Sequence, residues 1–151
     1  MKKLLFSALC GLVSLPCLAG DWIAAGMSDN TDQFIDFSSI EKNGDVHGAW
    51  RLAVLNRSDD GTAYTLIWAE NNCRTKKVRY VEYADYDLSG NNIRSGTDDS
   101  PWKRVTPGSI GEFAMEAVCK KKAPEIVFPA RTPHEVADKV RQYRIDKGDW
   151  K

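Results

Sequence analysis

The sequence is short of the groups that usually carry chemistry. It has two histidines, His47 and His134, and four cysteines, of which Cys10 and Cys17 fall within the first twenty residues. The remaining pair, Cys73 and Cys119, has no histidine near it in sequence, so no zinc-ligand spacing is present. A Cys–His or Ser–His nucleophile pair would need a free thiol or a placed serine, and neither stands out. Both imidazoles sit beside a predicted turn or helix start and read as surface groups. The paired acids Asp59-Asp60 and Asp98-Asp99 lie in predicted loops, whereas general acid–base catalysis needs acids converging in a dry cleft. Asp85 to Gly90 resembles the opening of a calcium loop, but the twelfth position is Gly96, where a bidentate glutamate is required, so a hairpin turn is expected. The glycines form no phosphate-cradling loop. No basic patch interleaved with aromatics suggests nucleic acid. These absences lead to the expectation of a non-catalytic protein with no cofactor and no metal site.

Beyond residue 19 nothing approaches the eighteen consecutive apolar residues of a membrane-spanning helix. The first nineteen residues are different. Lys2 and Lys3 precede the apolar run Leu4 to Leu15, and Pro16-Cys17-Leu18-Ala19-Gly20 ends in small residues before Asp21. That order is the one found in secretory signal peptides, with cleavage expected after Ala19 or Gly20. Pro16 before Cys17 and Leu9 before Cys10 are poor residues for lipoprotein processing, so a lipid anchor is not expected. The sequence therefore predicts export to the periplasm or beyond. There, a lone pair such as Cys73 and Cys119 reads as one disulfide.

Charge is balanced over the whole chain but not along it. Residues 21–119 carry ten Lys or Arg against sixteen Asp or Glu, a net of −6, and residues 120–151 carry nine against five, a net of +4. Such a tail either docks on its own acidic body or serves as a basic arm for anionic surfaces.

The body reads as strands. Trp22 to Ala25 and Phe34 to Asp36 form two short ones. After the Asn43-Gly44-Asp45 turn, Trp50, Leu52 and Val54 alternate with Ala49, Arg51 and Ala53, and Tyr64, Leu66 and Trp68 alternate with Thr65, Ile67 and Ala69. The longest strand spans Lys76 to Leu88, with Val78, Tyr80, Ala84, Tyr86 and Leu88 expected on one face. Trp102 to Val105 closes the series. The period then becomes helical. Ser109 and Glu112 make a capping box, and Ile110, Phe113, Ala114, Ala117 and Val118 form a stripe. After a connector over residues 120–131, Thr132-Pro133 starts a second helix, in which Val136, Val140 and Tyr143 share a face. The predicted fold is α+β: a single antiparallel sheet of five to six strands packed against one helix, plus a C-terminal amphipathic helix. The expected boundaries are a signal peptide over 1–19, the α+β domain over 20–119, the connector over 120–131 and a helical tail over 132–151.

Several short segments resemble, in order, the surface-adhesin protein E family. They are Trp22, Phe34-Ile35-Asp36 with Ser39-Ile40, Trp50-Arg51-Leu52, Glu70-Asn71-Asn72-Cys73, Trp102 with Val105 to Ser109, and Cys119. The resemblance spans residues 22 to 119 and implies an antiparallel sheet on a helix with Cys73 bonded to Cys119. It also implies exported Gram-negative proteins, named for a member that binds host matrix and serum proteins at the cell surface. Two functions follow as expectations. One is a protein-binding module of the cell envelope, with Val81 and Tyr83 on the outer strand face as its binding surface unless the C-terminal helix covers them. The other is a periplasmic accessory protein sharing only the fold.

Overall fold

The structure is a computed structural model that describes residues 20–56, 58–120, 127–128, 130 and 132–150. The expected signal peptide and most of the connector lie outside these residues. Among the described residues the chain runs β1 (Trp22–Met27), β2 (Thr31–Asp36), a 3-10 turn (Phe37–Ser39), β3 (Glu41–Asn43), β4 (Val46–Leu55), β5 (Tyr64–Asn72), β6 (Lys77–Tyr86), β7 (Asn92–Thr97), β8 (Lys103–Arg104), α1 (Ile110–Lys120), β9 (Val127–Phe128) and α2 (Pro133–Asp146). All strand pairs are antiparallel, in the order β7-β6-β5-β4-β2-β1-β9, with β3 flanking β4 and β8 flanking β6. The α+β class is as expected, but nine strands replace five or six. The additional ones are mostly two- or three-residue pieces, too short to show a period of two.

The two helices lie on opposite faces of the sheet. On one face Trp22, Phe34, Leu52, Val54 and Tyr64 pack with Val136, Ala137 and Val140 of α2 and with Trp150. On the other, Ile35 and Ala49 pack with Ala114 and Val118 of α1. The alternation along β4 divides Leu52 and Val54 from Ala49 and Arg51 as the period of two requires. Each large apolar side chain so buried contributes about 1.5–3 kcal/mol.

Both helix starts follow from their sequences. Ser109 Oγ accepts from the Glu112 N–H at 3.3 Å, and Glu112 Oε2 reaches back to the Gly108 N–H at 2.7 Å. Thr132 Oγ1 accepts from the Glu135 N–H, with Pro133 in the first turn. Gly26 is needed where α1 crosses β1, because a Cβ there would come within 2.6 Å of Ile110.

Several side-chain placements differ from expectation. Phe113 is 65% exposed and Tyr143 52% exposed, so each falls off its predicted apolar stripe, and Met115 is buried instead. In β6 the register shifts opposite Trp68/Ala69, so that Tyr80 pairs with Ala69 and Glu82 with Trp68. That bulge places an extra residue, Val81, in the strand. Val78 and Tyr80 therefore lie on the α1 side of the sheet, whereas Ala84 and Tyr86 lie on the α2 side.

The basic tail docks on its own acidic body. Arg144 grips the fully buried Asp32 with two bonds, Nε to Oδ2 at 2.9 Å and Nη2 to Oδ1 at 2.8 Å. Arg144 Nη2 also donates to the Ser28 carbonyl, and the carboxylates hold the guanidinium above its ordinary pKa. Arg141 donates to the carbonyls of Leu55 (2.5 Å) and Ala63 (3.1 Å) at the ends of β4 and β5.

Candidate functional site

Val81 and Tyr83 sit on β6 next to the β7 edge. Tyr83 pairs with Ile67, on the face opposite α2, so the C-terminal helix does not cover it. It is half-buried with its ring across Gly96, where an added Cβ would lie 3.4 Å away. Val81 lines a shallow depression of about 240 Å³ with Arg79, Tyr80, Asp98, Asp99 and Ser100. Its carbonyl accepts from the Asp98 N–H at 2.7 Å. The Asp98-Asp99 pair thus forms an acidic rim beside Val81 and Tyr80.

Of the Asp59-Asp60 pair, Asp60 has a structural task. Asp60 is held well below the usual carboxylate range, first by the Ser58 hydroxyl and then by the Thr62 N–H and Arg94. Arg94 bridges Asp60 at 2.9 Å and the buried Asp85 at 2.6 Å, tying the β4–β5 loop to β6 and β7. Asp87 accepts from the Ser89 and Asn91 N–H groups and Gly90 takes φ +79°, so the segment that resembles a calcium loop is a hairpin turn.

Neither histidine is a simple surface group. His134 packs on Tyr64 with ring centroids 6.0 Å apart and lies 3.4 Å from Asp138, and its Nδ1 is buried without a partner among the described residues. Burial beneath α2 pushes the Tyr64 phenol up to about 12, helped by the stacked Tyr86 ring. His47 lies beside the Cys73–Cys119 disulfide, which joins the end of β5 to the end of α1. The candidate ligand atoms of His47 and both sulfurs lie within 4.8 Å of one another. A disulfide has no thiolate to offer, so this cluster is not a metal site in the oxidised protein. Sequence spacing hides it, because His47 reaches Cys73 only through the β4–β5 pairing of His47 with Asn71. Next to it Arg51, 5% exposed, donates to Asn71 Oδ1 at 2.6 Å. Burial pushes the Arg51 pKa down.

A cavity of about 360 Å³ opens on the α2 side of the sheet, at the N-terminal end of α2. Trp22, Trp50, Leu66 and Pro133 line it together with Gly20 and the Asp36–Ser39 turn. The turn is fixed to the sheet by the Trp50 N–H, which donates to Ser39 Oγ at 2.9 Å. Trp68 supports Trp50 edge-on at 5.4 Å. The alternation of β4 and β5 gives Trp50 and Leu66 a common face, but the cavity draws on three further segments, and nothing in the spacing announces it.

The family model described as surface-adhesin protein E matches residues 22–120. No curated protein and no solved structure matches the chain.

Proposed function

We propose, on the premise that the chain belongs to the surface-adhesin protein E family, that it is an exported, non-catalytic protein of the cell envelope that binds another protein. The family match carries this reading. The N-terminal charge, apolar run and small residues support export. No helix among the described residues is long and apolar enough to cross a membrane. The binding surface is the β6 segment holding Val81 and Tyr83, which α2 leaves uncovered and which Asp98 and Asp99 flank. Aromatic and aliphatic groups inside a polar rim are the usual make-up of a protein-binding patch. Host matrix or serum proteins are the partner class that the resemblance noted in the sequence implies.

The poor lipidation context of Cys17 favours a second reading, a periplasmic accessory role with no display at the surface. Protease shaving of intact cells followed by blotting separates the two. Loss of the protein with a periplasmic control spared is the outcome expected of a surface adhesin. Protection until the outer membrane is opened overturns surface adhesion and leaves the periplasmic role.

A further inference from the structure

The cavity beside Pro133 has a chemistry that the β6 surface does not share. We propose that it is a binding site for an arginine side chain of a peptide or protein ligand, separate from the Val81–Tyr83 surface. Its walls are Trp50, Leu66 and Pro133, with Trp22 almost fully buried behind Gly20. Such walls suit a planar guanidinium on an apolar stem, which stacks on indole faces and buries its methylenes. The volume accommodates one long side chain and the adjoining backbone, at the small end of ligand sites.

Asp36 supplies the charge. Its Oδ1 accepts from the Ser38 N–H at 2.9 Å and the Ser38 hydroxyl at 2.5 Å, both neutral donors. Among the described residues no cation pairs with it, and Oδ2 is left for a ligand. A half-buried carboxylate beside indole rings attracts a cation more strongly than one in open water. An apolar occupant would remove water from that carboxylate and give nothing back.

A second polar group points the same way. Trp22 is 2% exposed, and its Nε1 is buried with no hydrogen-bond partner among the described residues. Gly20 packs directly over this N–H, since an added Cβ would come within 2.6 Å of Nε1, and both residues line the cavity. Binding of a peptide carbonyl at this N–H requires Gly20 to move aside. A ligand with one guanidinium and one carbonyl thus satisfies both Asp36 and Trp22.

The test titrates the full chain with N-acetyl-L-argininamide, following tryptophan fluorescence and the Trp22 indole N–H resonance. N-acetyl-L-citrullinamide, of the same shape without the charge, is the control. Saturable binding in the millimolar range is expected, weakened about tenfold or more for citrulline and in Asp36→Asn. That variant keeps the oxygen that accepts from Ser38, and the two-ligand comparison on the unaltered protein stands even if it fails to fold. Arg131 lies two positions before Pro133 and outside the described residues. The titration is therefore repeated in Arg131→Ser, where that side chain cannot fill the site itself. Preference for arginine over citrulline in either protein supports the site. Equal binding of the two ligands, or no saturation in both proteins, overturns it. Tyr83→Ser is expected to leave the titration unchanged, and an equal loss there would overturn the separation from the β6 surface.

Discussion

At the scale of single residues the most consequential group is Asp32. It is fully buried in β2, and its charge is met by Arg144, whose side chain is 12% exposed and arrives from the other end of the sequence. Removing one member of a buried ion pair leaves the other uncompensated, at a cost of about 3–5 kcal/mol. Replacing both members with apolar groups of similar size costs far less, because the desolvation penalty disappears along with the attraction. Arg144→Met is therefore expected to lower unfolding stability by about 3–5 kcal/mol in urea titration, and Asp32→Leu with Arg144→Met by much less. Additive losses in the double variant would mean that Arg144 acts through its contacts to Trp150 and Asp149 and not through Asp32. The sequence showed only that a basic tail follows an acidic body. It could not name this pair, because the partners are 112 residues apart and meet only after β2 and α2 are in place.

At the scale of elements, what was legible in the sequence depended on how local the cause was. The alternation of Trp50, Leu52 and Val54 and of Tyr64 and Leu66 assigned β4 and β5 correctly, because a period of two is a property of the strand itself. The caps at Ser109 and Thr132 are equally local. The β6 bulge was not legible, since it arises from pairing with Trp68 and Ala69, and so half of that strand was assigned to the wrong face. Tyr143 and Phe113 fit a helical stripe but lie at its margin, where the sheet surface no longer reaches them. Trp150 is buried because Gly148, at φ +78°, turns the chain back after α2 and brings the indole N–H to the Asp29 carbonyl at 3.0 Å. The Trp22–Trp50 cavity fails to show for the same reason as the Asp32 pair: its parts come from distant elements. The docking of α2 carries its own consequence. Phe34, Leu52, Val54 and Tyr64 would face water without Val136, Ala137, Val140 and Trp150. Ending the chain at residue 131 is expected to uncover this face, giving strong binding of the dye ANS and a broadened urea transition. A sharp transition with no dye binding would mean that the sheet and α1 hold together alone, and that α2 is an accessory cover.

At the scale of the whole molecule, the two faces are secured by different chemistry. On the α2 face the helix is held by apolar packing and the Arg141 and Arg144 contacts, all non-covalent. On the α1 face the buried cluster is smaller, and α1 buries only Ala114, Val118 and a single long side chain, Met115. There the Cys73–Cys119 bond, closing a separation of 46 residues, ties the last turn of α1 to the end of β5. Loop-closure entropy assigns a bond of that span about 4 kcal/mol of stabilisation through the unfolded chain. A domain of this size has a total stability of about 5–15 kcal/mol, so the bond is a large share of it. Replacing both cysteines with serine is therefore expected to lower stability by about 4 kcal/mol. Dithiothreitol should reproduce the loss in the unaltered protein and have no effect on the variant. Because α1 holds few large buried side chains, that loss should appear first as faster amide exchange in α1, with α2 still protected. Uniform exchange throughout the chain would instead show that the sheet couples its two faces into one cooperative unit, with the disulfide acting on the unfolded state alone.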